Sequence, residues 1–429
     1  MPPSSKLLRS QIINDARAGA PAEPRCRHAP PNDLCGGCLF QDRAYPAQIA
    51  AKRAALQRIW EGLLTPEHCA ALEIVPSPNP FEYRTRMDYV TSKGRLGLRR
   101  SGKFNYIIDL SECHLIPPAA FAVVRRVYER AMALGLPDYD LRSHEGFLRY
   151  LTVRRSPDSE LLLAATTATV RHADAMDALA AFALTQPGVV GFHWLHNPGL
   201  ADVAFGAPVR HWGRATLAMR IGQQTLEIGP NTFFQNNIHL TERLVADAAR
   251  EGLAVGHQGP GGQAAGRPGT QEASLRSPNS ERRSPIPSLA DLYGGVGTIA
   301  LRLAESGGRV VCVESVAESA ALARANVARN GAAAVEVVEA DVAAFLAAQP
   351  AGAFPAVVAD PPRAGLGPAV CAELRRIAPR RIVYVSCNPL TQAEDARGLA
   401  PDYRIAALRG YDMFPQTAHL EAMAVFERQ

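Results

Sequence analysis

The chain has 429 residues, 47% of them hydrophobic and 20% charged, with 46 Lys and Arg against 41 Asp and Glu. That length asks for two or three domains, and the balance is that of a globular protein, neither low-complexity nor fibrous. No apolar run reaches the roughly 18 residues of a membrane span, and no apolar core follows the N-terminal Met-Pro-Pro-Ser-Ser-Lys, so a cytoplasmic, membrane-free monomer is expected.

In chain order, residues 1–25 are rich in Pro, Ala and Arg without periodicity and read as a flexible tail. Residues 26–75 hold Cys26, Cys35 and Cys38 close together, Cys69 in an apolar pattern, and a helical pattern over 48–63 carried by Ile49, Ala50, Leu56, Ile59, Trp60 and Leu63. Residues 76–225 read as a mainly β domain with a helix near 119–134 and with Cys113. Within it, Arg84–Lys103 carries seven basic residues and one acid, Asp88, with Tyr83, Tyr89, Phe104 and Tyr106 in or beside the run. Cations for phosphates and aromatic faces for unstacked bases suit single-stranded RNA; a solvated hairpin is the plainer alternative.

Residues 226–429 read as a third domain, interrupted at 256–288 by a Gly-, Pro-, Ser- and Arg-rich stretch that reads as a disordered insertion. Beyond it, five apolar strands alternate with helices, which means a parallel, doubly wound sheet, and two more strands close the chain. Asp291-Leu-Tyr-Gly-Gly-Val-Gly-Thr298 follows the first of these strands and opens a helix, so Gly295 and Gly297 let the backbone approach a nucleotide-type cofactor. Glu314 ends the next strand, placed for ribose hydroxyls; Asp341 ends the third, placed for an adenine amino group; Asp360 ends the fourth. Cys387 ends the fifth, between polar and helix-breaking neighbours that are poor company for a core cysteine.

Asp360-Pro-Pro-Arg-Ala-Gly365, then sixteen residues, then Ile382-Val-Tyr-Val-Ser-Cys-Asn388 with Thr391, together with Asp412-Met-Phe-Pro-Gln-Thr-Ala-His-Leu-Glu421, resemble the two signatures of the RNA uracil-5-methyltransferase family. The resemblance implies a class I, Rossmann-like fold and S-adenosylmethionine as methyl donor. Gln235, Tyr293, Thr298, Glu314, Asp341 and Asp360 match the family's cofactor-contacting positions. It implies Cys387 as the nucleophile that adds to uracil C6 and Glu421 as the base that removes the C5 proton; His419, two residues before Glu421, reads either as orienting the base or the site or as a satisfied structural histidine. Gly294 departs from the cysteine that relatives often carry there.

Cys26, Cys35, Cys38 and Cys113 suit a tetrahedral zinc or a four-iron cluster by ligand type alone. Their similarity to the ribosomal branch of the family implies a [4Fe–4S] cluster, shaping an RNA surface far from methyl transfer, and 23S rRNA as substrate ahead of tRNA. The similarity is to the branch without an N-terminal TRAM domain. The competing readings are an adenine-amino methyltransferase, opposed by Arg363 and Cys387, and a non-catalytic iron–sulfur RNA-binding protein, opposed by the intact Cys387 and Glu421.

Overall fold

A computed structural model of the protein describes residues 5–257 and 288–429. Most of the expected insertion therefore lies outside the described residues. The C-terminal strands build an eight-stranded sheet in the order Ile74–Val75, Tyr403–Tyr411, Glu421–Arg428, Arg381–Ser386, Ala356–Ala359, Leu289–Leu292, Val310–Glu314, Val335–Glu339. The five strands from Leu289 to Ser386 pair in parallel, and Glu421–Arg428 pairs antiparallel to both of its neighbours. Alternate residues feed two cores: Ala290, Leu292, Val357, Ala359 and Ile382 face one side, and Leu289, Val310, Ala356, Val358 and Val383 the other. This is the near-continuous apolar strand pattern of a sheet covered on both faces.

After Leu289–Leu292 the chain moves outward to Val335–Glu339, then returns to Ala356–Ala359 on the opposite side. The strand order thus reverses between the ends of Leu289–Leu292 and Ala356–Ala359, which opens a crevice at the strand ends carrying Tyr293 and Asp360.

The second large sheet has seven strands, in the order Lys103–Asp109, Arg95–Arg100, Arg86–Ser92, Leu148–Arg155, Leu161–Thr167, Val189–His196, Ala207–Gly213. Helices Pro118–Ala133 and Ala173–Leu184 bury Phe121, Val124, Tyr128, Met176 and Leu179 in its core. This matches the mainly β middle of the chain read from the sequence.

Three expectations need correcting. The N-terminal stretch is not a free tail: Ser5–Arg17 is a helix whose Leu8, Ile12 and Ala16 join the core under helix Tyr45–Ile59. Its apolar spacing of four was diluted by Lys, Arg, Ser and Asn on the outer face. The helix over 48–63 buries Gln48, Ala51, Lys52, Ala55, Leu56 and Ile59, so polar residues sit on its inner face and Ala50 points outward. The boundary at 225/226 cuts strand Gln224–Ile228, whose hairpin with Leu217–Ile221 is tied to the C-terminal unit: Asn326 donates to the Glu227 carbonyl and Asn330 to that of Thr225. Likewise Ile74–Val75 pairs with Gly410 and Tyr411, so the segment before residue 76 belongs physically to the C-terminal core. No helix among the described residues is long and apolar enough to cross a membrane.

Candidate active site

The crevice at the strand reversal is lined by Gln235, Tyr293, Gly295, Thr298 and Asp360, with Phe233 at its edge, 65% exposed. The loop that forms its floor is wound tightly: Tyr293, Gly295 and Gly297 all have positive φ (61°, 57° and 88°), a conformation that costs a tyrosine roughly 1–3 kcal/mol. Glu314 braces the loop, accepting from the Gly295 N–H (2.9 Å) with one oxygen and from the Val316 N–H (2.7 Å) with the other. Asp341 stands exposed at the end of its strand, where it caps the next helix by accepting from the Ala344 N–H (3.0 Å). At Gly294 a Cβ would come within 2.3 Å of Cys312 Sγ, so the sulfur beside the loop comes from the adjacent strand.

Gln235 donates to Asp360 Oδ2 (2.9 Å), which ties the cofactor crevice to the Asp-Pro-Pro turn. One residue of this crevice went unrecognised in the sequence. Asp291 is fully buried; its Oδ2 accepts from the Ala300 N–H (2.8 Å) and its Oδ1 has no partner. Burial above all, then Asp360 and Glu314, push it up to about 8. An acid inside an otherwise apolar strand, Leu-Ala-Asp-Leu, was the available signal.

Beyond Asp360 a second cleft of ≈ 500 Å³ contains Cys387, Arg363 and His419. Asn388 Nδ2 (3.0 Å) and Thr391 Oγ1 (3.3 Å) donate to the Arg363 carbonyl, so the two halves of the first signature fix one another. Arg363 donates to His419 Nδ1 (3.1 Å), and burial followed by the cations Arg363, Arg84, Lys52 and Arg9 pulls that imidazole down to about 4. The lowered imidazole suits an acceptor for the Arg363 guanidinium. Glu421 is buried, its Oε1 without a partner, and burial plus the Asp360 carboxylate hold it far above the usual carboxylate range. Burial alone lifts Asp360 to about 7, against the pull of Gln235. Burial and Glu421 push the Cys387 thiol up to about 11, opposed by Arg363. The result is a thiol and a fixed cation in one cleft, with two carboxyls behind its wall close enough to act on the thiol, a set suited to nucleophilic addition followed by proton removal.

The loop carrying Gln416 to Glu421 is pinned by helix Tyr45–Ile59. Lys52 pairs with Asp412 with both side chains wholly buried, Tyr45 donates to the other Asp412 oxygen (2.8 Å), and Gln48 exchanges bonds with Gln416 (Nε2 to Oε1, 3.0 Å; Gln416 N to Oε1, 3.1 Å). The sequence reading missed all three residues. Their spacing (45, 48, 52) on a face that also carries Ala51 and Ala55 was a usable sign.

Cys26, Cys35, Cys38 and Cys113 are each 6% exposed and line one small pocket. Gln41 Nε2 donates to Cys38 Sγ (3.1 Å), the type of bond that favours a thiolate. Burial raises every one of the four thiols, Cys26 to about 11 and Cys35 to about 12. Gly36 and Gly37 are there because the loop has no room: a Cβ would come within 2.6 Å of the Arg99 carbonyl oxygen and of Leu98, respectively. Among the described residues no group of three or more His, Cys, Asp or Glu side chains is arranged to hold a single metal ion. The expected remoteness from the methyl-transfer site does not hold. Gly36 and Gly37 line the same cleft as Cys387, and the Leu39 N–H donates to the Gln416 carbonyl (2.6 Å).

In the basic stretch, Arg95 and Arg100 lie over Tyr106 (5.1 and 5.9 Å) and Arg99 over Phe104 (4.5 Å), while Phe104 and Tyr106 remain 58% and 42% exposed. Arg84 turns inward, over Tyr83 and Phe414, into the Cys387 cleft.

The sequence profile of tRNA (Uracil-5-)-methyltransferase matches residues 282–429. A tRNA (uracil(54)-C(5))-methyltransferase of Pyrococcus abyssi is 31% identical over 98% of this chain and 88% of its own. An uncharacterized RNA methyltransferase of Nitratidesulfovibrio vulgaris is 33% identical over 95% and 83%. The crystal structure of the Pyrococcus abyssi enzyme in complex with S-adenosyl-L-homocysteine superposes with a TM-score of 0.71 over 92% of this chain and 86% of that one, at 29% identity. With its doubly wound sheet, glycine-loop crevice and Cys387 cleft, the chain belongs to the tRNA (uracil-5-)-methyltransferase family of S-adenosylmethionine-dependent RNA methyltransferases.

Proposed function

We propose that the protein methylates C5 of a uridine in RNA. The observation that carries this is the single cleft where Cys387, Arg363 and His419 meet, with the buried Glu421 and the crevice residue Asp360 both acting on the Cys387 thiol. The glycine loop, Glu314 and Gln235 would hold S-adenosylmethionine, which would supply the methyl group. The target base leaves its stack to enter the cleft. Cys387, as thiolate, adds to C6 and makes C5 nucleophilic; the Arg363 guanidinium, which lowers the thiol's pKa, favours that thiolate. After methyl transfer Glu421 takes the C5 proton and the thiolate leaves by elimination. Burial and the Asp360 carboxylate raise the Glu421 carboxyl well above the usual carboxylate range, which makes its ionised form the stronger base.

Cys26, Cys35, Cys38 and Cys113 would hold a [4Fe–4S] cluster; what supports this is four buried cysteines lining one pocket, with an amide donor to Cys38. The cluster would stiffen the wall that Gly36 and Gly37 present to the Cys387 cleft.

The resemblance of this cysteine set favours 23S rRNA. A second reading, tRNA, is favoured by the Pyrococcus abyssi relative named for tRNA uracil-54, whose alignment spans 98% of this chain and with it the cysteine segment. Mapping 5-methyluridine in ribosomal and transfer RNA, after incubating undermodified RNA of both kinds with enzyme and S-adenosylmethionine, decides between them. Absence of 5-methyluridine from both refutes the reading. Glu421→Gln should accumulate a covalent protein–RNA adduct on a denaturing gel; normal turnover with no adduct removes Glu421 as the base.

A further inference from the structure

The Cys387 cleft has a rim that neither signature accounts for. Helix Ser5–Arg17 forms it, contributing Lys6 and Arg9 alongside the apolar Leu8 and Ile12. Four cations line the cleft, Lys6, Arg9, Arg84 and Arg363, and no Asp or Glu is among the described residues that do so. Lys6 and Arg9 are three residues apart, on one face of the helix, and both are exposed. Neither forms an ion pair among the described residues, whereas Arg58 and Asp15 pair at 2.7 Å at the other end of the same helix. The helix is held in place: Leu8, Ile12 and Ala16 are buried, and Gly19 lies so close to Ala47 that a Cβ would approach it to 2.3 Å. A fixed pair of unneutralised cations above a cleft without acids is an electrostatic site for a polyanion.

We propose that Lys6 and Arg9 bind backbone phosphates of the RNA flanking the flipped uridine, so that the strand passes between helix Ser5–Arg17 and the Cys35–Cys38 loop. This rests on the reading that a uridine in RNA enters the cleft at Cys387. A base rotated out of its stack drags its two flanking phosphates to the pocket mouth, and the rim is where these cations stand. The single-strand phosphates are the specific demand; sequence is read elsewhere.

The test is the Lys6→Gln/Arg9→Gln double variant of the full chain, against a charge-matched control, Arg324→Gln/Arg329→Gln, on a helix outside the cleft. RNA affinity is measured from low to high salt, with S-adenosylmethionine affinity and melting temperature alongside. The cleft variant should lose RNA affinity, with the slope of log K against log salt falling by roughly 0.7 per lost phosphate contact. Its KM for RNA should rise with kcat within about twofold of wild type, because a positioning cation acts on binding and not on the reacting atoms. Cofactor affinity and melting temperature should not move. A folded variant with wild-type RNA affinity and salt slope overturns the proposal, and so does an equal loss in the control, which would mean bulk charge. If the wild type makes no 5-methyluridine while the cleft variant still loses its salt-dependent binding, the functional reading fails and the phosphate site stands.

Discussion

Two groups of cysteines lie in neighbouring pockets, Cys387 in the cleft that Gly36 and Gly37 also line and the other four in a pocket of their own, and their surroundings give them different chemistry. Cys26, Cys35, Cys38 and Cys113 are buried together in the core of the seven-stranded sheet, near an amide donor on Cys38 and the Tyr89 and Arg84 side chains. Cys387 stands alone at a strand end, half exposed, between an arginine and two carboxyls that respond to protons. Burial raises the thiol in both places, so the raised value alone does not separate ligand from nucleophile. The neighbours do: several thiols converging on one pocket suit a shared metal cluster, whereas one thiol beside a fixed cation and a base suits turnover. The two groups meet structurally at Gly36, Gly37 and Gln416, so the cysteine loop is also a wall of the reaction cleft.

The largest separation should come from changing one thiol in each group. Cys387→Ala is expected to lower methyl transfer by at least about 10³-fold while iron content, visible absorbance and cofactor affinity stay at wild-type levels. Cys38→Ser in anaerobically purified protein should do the reverse on the metal side, removing iron and colour while cofactor affinity persists. Colourless wild-type protein carrying one zinc would break the comparison on the metal side only.

The next effect in size concerns the segment joining the two groups. Lys52→Met leaves Asp412 buried without its cation, which should cost about 3–5 kcal/mol in urea unfolding. Adding Asp412→Asn should recover part of that loss, since the stranded charge is then gone; no recovery would mean that the pair acts through packing alone.

The smallest effect is a pH dependence away from both groups. Asp291 is raised from 3.8 to about 8 by burial, so its folded pKa lies above its unfolded one. Its stabilising contribution is complete only below the unfolded value and is lost as pH rises through the folded one. Asp291→Asn escapes that loss while its amide oxygen still accepts from Ala300. In cofactor-free protein its melting temperature should gain on wild type steadily from about pH 4 to about pH 8. A constant difference across that window would place the ionisation elsewhere.

The sequence by itself determined the doubly wound sheet, the glycine loop with Glu314, and the pairing of Cys387 with Glu421's segment, because each depends on local order: apolar runs alternating with helices, glycines at a strand end, and two long signatures. The same local order misled at Ser5–Arg17, where polar residues on the outer face masked an apolar stripe that only the helix Tyr45–Ile59 completes. It was silent on Tyr45, Gln48 and Lys52, whose partners at Asp412 and Gln416 lie 360 to 368 residues away in the chain. The meeting of the cysteine loop with the catalytic cleft was decided by tertiary structure alone. Nothing in the spacing of Cys35 and Cys38 encodes that Leu39 bonds to Gln416; that contact exists because helix Tyr45–Ile59 and strand Ile74–Val75 dock the N-terminal segment onto the sheet that carries Cys387, and docking of remote surfaces is set by shape and buried polar pairing that no local window contains.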